Sequence, residues 1–170
     1  MAVLDVIKIR RSIRKYQGRP IEEEKLQQVL EAGRLAPAAN NAQQWKFIVV
    51  RDKDTIDKLV PACGGQSFIA GAPAILVICT NGEEPVMYCG QPARTVDCSI
   101  ALSFMILQAA ELGLGTCWLG YFSNDKVKRV LGIPAENNVV AVTPLGYPDE
   151  APAPRPRKKM SEVVAYDGWQ

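Results

Sequence analysis

Residues 99–110 read SIALSFMILQAA, apolar on nearly every helical face except at Ser103 and Gln108. A helix that is apolar all round lies deep in a core or in a subunit interface. The pattern extends to a long helix over about 93–112. Gly113 stops it, because glycine takes up the left-handed backbone of a helix end without strain. Upstream, Ala74 to Cys79 is a continuous apolar run rich in β-formers, as in a strand buried on both faces. Gly82, Pro85, Gly90 and Pro92 make the intervening stretch a loop.

Further out, helices and strands alternate. Residues 2–11 form a short helix with Val3, Val6, Ile7 and a basic end. Pro20 opens a second helix, with Glu22, Glu23 and Glu24 in its first turn, where acids suit the helix dipole. Leu26, Val29, Leu30 and Gly33 share one face of it, and Pro37 ends it. Trp45 to Val50 is a strand, 53–60 a short helix and Thr116 to Leu119 a short strand. Ser123 caps a helix ending at Gly132, and Val139 to Leu145 is the last strand. Too few elements complete βαβ units for a doubly wound sheet. The expected class is α+β: a mixed or antiparallel sheet of four or five strands, surrounded by helices and wrapped around the long buried one. One domain over 1–170 is expected, with a basic tail at about 150–170 kept extended by Pro152, Pro154 and Pro156.

Composition narrows the chemistry. The 170 residues carry a net charge of +2, too balanced for nucleic acid as the main partner. There is no histidine, so no Ser-His-Asp or Cys-His pair and no histidine metal ligand can exist. Cysteines at 63, 79, 89, 98 and 117 are too far apart for a C-x-x-C pair. They read as buried free thiols in a reducing cytoplasm. The apolar runs are too short to span a bilayer, and MAVLDVIKIRR is not a signal peptide. If the protein is an enzyme, another residue or a cofactor must carry the chemistry.

Four stretches can carry function. Arg10-Arg11-Ser12-Ile13-Arg14-Lys15 offers guanidinium forks and a hydroxyl to phosphate oxygens, or else caps the carbonyls of a helix end. Arg155-Pro156-Arg157-Lys158-Lys159 points alternate cations one way, or else serves as a solubilising tail. With both clusters basic, the rest of the chain is net acidic, and positive potential concentrates where the two meet. Residues 37–45, PAANNAQQW, form a loop able to bond the edge of a heterocycle, or a turn chosen for its Asn chemistry. Gly113-Leu-Gly115 to Gly120 allows close backbone approach, but it lacks the third glycine and the preceding strand of a dinucleotide fingerprint.

In order and spacing, these pieces and the turn Pro144-Leu-Gly-Tyr-Pro148 resemble the nitroreductase family of flavin mononucleotide (FMN) enzymes across almost the whole chain. The resemblance implies that Arg10, Arg11, Ser12 and Arg14 hold the FMN phosphate and ribityl chain, joined by Arg155 and Arg157. It implies that Pro37, Ala38 and Ala39 pass along the flavin edge, and that Asn41, with Gln43 as a lesser candidate, bonds the ring of the flavin held mainly by the other subunit. It sets the backbone of Leu119 and Gly120 near flavin N5 and leaves no catalytic side chain and no metal. It further implies a homodimer in which NAD(P)H and a small acceptor, such as a nitroaromatic or quinone, react in turn by a ping-pong scheme. Alanines at 38 and 39 and Gln44 depart from the family's serines and proline, so the resemblance implies backbone contacts at 38 and 39. The chain is also shorter than many members. An FMN-binding storage or sensor protein, a dehalogenating or ene-reducing flavin enzyme, and a small anion-binding domain are the competing readings. Cys89 and Cys98 flank a loop that could cover a flavin, and Tyr88, Tyr121 and Phe122 either stack on a substrate or fill the core.

Overall fold

A computed structural model describes residues 2–169. The helices are α1 (Val3–Ile9), α2 (Glu23–Arg34), α3 (Lys53–Ala62), α4 (Ala93–Glu111) and α5 (Asn124–Leu131). The strands are β1 (Trp45–Val50), β2 (Ala74–Thr80), β3 (Gly115–Thr116) and β4 (Val139–Gly146), all antiparallel in the order β1-β2-β4-β3. Short 3-10 turns occupy Ala39–Asn41, Ser67–Gly71 and Met160–Glu162.

The sheet is the middle layer. β2 is buried at every residue, so both of its faces need cover. One face packs on α3, α5 and the 3-10 turn Ser67–Gly71 through Ile56, Leu59, Val127 and Ile69. The other packs on α2 and α4 through Leu26, Val29, Leu102 and Met105. The α+β class and the antiparallel four-stranded sheet surrounded by helices are as expected. Side chains alternate across a strand, so one helix cannot cover both faces, and α4 lies on one of them. Its opposite edge stays open, with Ser103 and Phe104 exposed and Ile100 and Leu107 half-buried.

Local chemistry explains the boundaries. Asp52 caps α3 by accepting from the Thr55 N–H at 2.8 Å, and Ser123 caps α5 by accepting from the Lys126 N–H. Gly132 ends α5 in the left-handed region. α2 starts at Glu23 rather than at Pro20, with Glu22 as its N-cap. The third strand covers only Gly115–Thr116, because the chain leaves the β4 ladder after Thr116 and returns for a single bridge at Leu119.

Candidate functional site

The two ends of the chain are brought together by main-chain pairing. Ile13 N–H donates to Thr116 O at 2.9 Å, Gln17 N–H to Tyr147 O at 2.8 Å and Asp149 N–H to Lys15 O at 2.9 Å. The Glu150 carboxylate closes this seam by accepting the backbone N–H groups of Arg14 and Lys15. The tail therefore departs directly beside the first basic cluster. Between them lies a cavity of about 470 Å3 whose lining includes Lys8, Arg10, Arg11, Ser12, Arg14, Arg155 and Arg157 and no acidic side chain. All six of the expected phosphate contacts sit on that one cavity. Arg11 is also partly engaged as a helix cap, its Nη1 donating to Lys8 O at 2.6 Å and to Arg10 O at 2.8 Å. The Arg14 guanidinium lies 5.9 Å from the centre of the Phe68 ring. Sequence reasoning passed over Glu150. It is the second of two adjacent acids, Asp149 and Glu150, between Pro148 and Pro152, just ahead of the basic run.

Pro37, Ala38, Ala39, Asn41 and Gln43 do not line this cavity within the same copy. Their loop is unusual in its backbone: Asn40, Asn41 and Gln43 all have φ between 52° and 54°. Asparagine tolerates that region, whereas glutamine does so at a cost. The loop is held by Asp97 on α4, whose Oδ1 accepts the Ala39 N–H at 3.0 Å, and by Gln43 Nε2 donating to Asn41 O at 3.2 Å. Asp97 is buried, and its role is legible only as a charge inside an otherwise apolar helix.

Leu119 and Gly120 form the rim of the sheet. Leu119 N–H donates to Val142 O at 2.9 Å, so the bridge to β4 uses that amide. Among the described residues no hydrogen bond is formed by the exposed Gly120 amide.

Four thiols are buried as expected, and Cys89 departs from that reading by being exposed in the 81–92 loop. Burial pushes the thiols of Cys63 and Cys79 up to about 11 and that of Cys98 to about 12, because a thiolate loses its hydration there. Thiol reagents are therefore expected to modify one cysteine of the native protein, Cys89, read by mass spectrometry. Modification of a second would contradict the burial. Since the folded pKa values are raised, the linked stability is complete below the unfolded thiol value of about 8.5 and declines as pH climbs towards 11. Tyr88 and Tyr121 stand exposed rather than in the core, while Phe122 packs partly into it.

Fold and cavity together define a class: a three-layer α+β protein with a cation-lined recess where its two chain ends meet. Comparison with known proteins agrees. The sequence pattern of the nitroreductase family matches residues 7–74 and 62–147. A protein of Thermus thermophilus named NADH dehydrogenase is 31% identical over 188 residues, covering 92% of each chain. The FMN reductase (NAD(P)H) of Bacillus subtilis is 31% identical over 175 residues, covering 90% of this chain and 68% of that one. A crystal structure of a nitroreductase family protein from Clostridium difficile superposes with a TM-score of 0.90 at 31% identity, covering 99% of this chain and 100% of that one. The chain belongs to the nitroreductase family, and it is an oxidoreductase.

Proposed function

We propose that this protein is an FMN-dependent oxidoreductase that draws electrons from NAD(P)H and passes them to a small organic acceptor, such as a nitroaromatic or a quinone. The observation that carries this reading is the single cavity walled by Arg10, Arg11, Ser12 and Arg14 on one side and by Arg155 and Arg157 on the other. A phosphate monoester carries nearly two negative charges and three acceptor oxygens. Guanidinium forks and one hydroxyl, with no acid in the lining, suit that headgroup.

Bound FMN supplies the electron relay that this histidine-free chain has no side chain to perform. The chain's own residues bind and orient. The arginines hold the phosphate, the Gly120 amide offers a donor at the rim, and the loop from Pro37 to Gln43, pinned by Asp97, presents its backbone and Asn41. Donor and acceptor then occupy one site in turn, a ping-pong order. Because that loop lies outside the cation cavity of its own copy, the reading places it against the flavin of a second copy. The apolar strip formed by α1 and the open edge of α4 is the surface that would meet in such a homodimer.

The test is a titration of the purified protein with FMN, followed by anaerobic mixing with NADH and with NADPH. Stoichiometric uptake and bleaching of the flavin band by at least one nucleotide are expected. A protein that takes up no FMN overturns the reading.

A further inference from the structure

Glu150 is the last anchored residue before the basic tail begins. Its Oε1 accepts the backbone N–H of Arg14 and that of Lys15, the second at 3.2 Å. Just upstream, Asp149 N–H donates to Lys15 O at 2.9 Å, and Pro148 O accepts from Gln17 Nε2 at 2.8 Å. Beyond Glu150 the ties stop. Among the described residues no bond between main-chain groups involves 151–158, and the one side-chain bond of that stretch joins Arg157 to its own neighbour, Pro156. Pro152, Pro154 and Pro156 offer no N–H and restrict φ, so the segment is stiff. The direction in which a stiff segment leaves the seam fixes where Arg155 and Arg157 arrive.

The charge of Glu150 by itself works against an anion site, because a nearby carboxylate lowers the positive potential there. The half-buried Glu150 does not line the cation cavity. It faces the neighbouring depression, and Arg10, Arg11 and Pro152 border both. Two N–H donors converge on one of its oxygens, and such charge-assisted bonds are strong. This acid therefore stands beside the recess for what it accepts, not for any attraction to a ligand.

We propose that Glu150 is a positioning residue for the phosphate recess: by latching the start of the tail to the amides of Arg14 and Lys15, it sets Arg155 and Arg157 opposite Arg10 and Arg14. The inference rests on the FMN reading above and adds the residue that makes the recess read the phosphate. Without the latch the tail swings, the recess loses one wall, and FMN loses its advantage over riboflavin, which lacks the phosphate.

The test titrates FMN and riboflavin against full-length wild type, Glu150→Ala, Glu150→Asp and Glu150→Gln by fluorescence, with circular dichroism as the check on folding. Loss of the charge alone would tighten FMN binding in the alanine variant, whereas loss of the latch weakens it. Glu150→Ala is expected to bind FMN at least about tenfold more weakly and to keep riboflavin within about threefold of wild type. Glu150→Asp keeps the charge, withdraws the acceptor by one methylene and is expected to weaken FMN as well. It decides the matter if the alanine variant does not fold. Glu150→Gln keeps an oxygen acceptor at the same reach and is expected to bind FMN as tightly as wild type or more tightly. FMN binding that is unchanged or tighter in the alanine variant (in the aspartate variant, if alanine does not fold) overturns the latch. So does an equal loss of FMN and riboflavin, or a glutamine variant as weak as alanine. A wild type that takes up no FMN strikes the reading above instead; inorganic phosphate is then the probe, and the same order of variants is expected.

Discussion

If the proposed FMN site is right, replacing Arg10 and Arg14 together by alanine is expected to weaken FMN binding by at least about a hundredfold while the protein remains folded. Both side chains line the cation cavity, and Arg14 is exposed, so neither supports the core. Hydrogen bonds to charged groups contribute about 1.5–3 kcal/mol each. About 1.4 kcal/mol is tenfold in affinity, so the loss of two such contacts reaches the stated range. The surviving arginines on the tail side make the remaining binding steeply dependent on salt, since exposed charges are screened within about 8 Å at physiological ionic strength. Fluorescence titration of FMN against the double variant, with circular dichroism as a check on folding, measures this. An unchanged affinity would mean that these arginines are merely solvated and that the headgroup lies elsewhere.

In the proposed homodimer, Phe104→Asp is expected to separate the two copies and to lower FMN uptake with it. Phe104 is 42% exposed on the outer edge of α4, and α1 packs against that helix with Val3 at 73%, Leu4 at 59% and Ile7 at 48% exposure. Patches of this kind on the helices of a domain mark an association surface. Burying a phenylalanine side chain contributes about 1.5–3 kcal/mol, and a twofold interface loses it in both copies, in addition to bringing in two unpaired carboxylates. The dimer dissociation constant is therefore expected to rise at least about a hundredfold, read by light scattering across a concentration series. Flavin content falls in parallel because the loop at 37–43 serves the neighbouring copy in the proposed arrangement. A wild type that is monomeric at micromolar concentration, or a variant that stays dimeric, removes both the interface and the shared site.

These two substitutions differ in how far their targets can be read from sequence. The arginines stand in compact, ordered motifs, and the prolines at 152, 154 and 156 already forbid a helix in the tail. The type and approximate place of most strands and helices also follow from local periodicity, since the spacing of apolar side chains is a property of the segment itself. The run at 74–79 reads as a strand buried on both faces and is one, within β2. Placement is different. Glu150 matters because its carboxylate meets the amides of residues 14 and 15, some 135 positions away, and nothing near Glu150 in the chain announces that meeting.

The same holds for Asp97. Arg94 and Asp97 look like a helical i, i+3 pair, which on a surface would bind each other. Tertiary packing instead turns Asp97 to the Ala39 amide and leaves two nitrogens of Arg94 without partners. The α4 stretch likewise reads as apolar all round, and only the assembled layers decide which of its edges is covered by the sheet and α2 and which is left to solvent. Amino-acid order alone determined the α+β class, the order and type of the main elements and the identity of the cationic motifs, because each depends on short-range patterns and backbone preference. Tertiary structure decided that the two ends form one recess and that Leu119 spends its amide on β4, because those outcomes depend on long-range contacts between segments that carry no mark of one another.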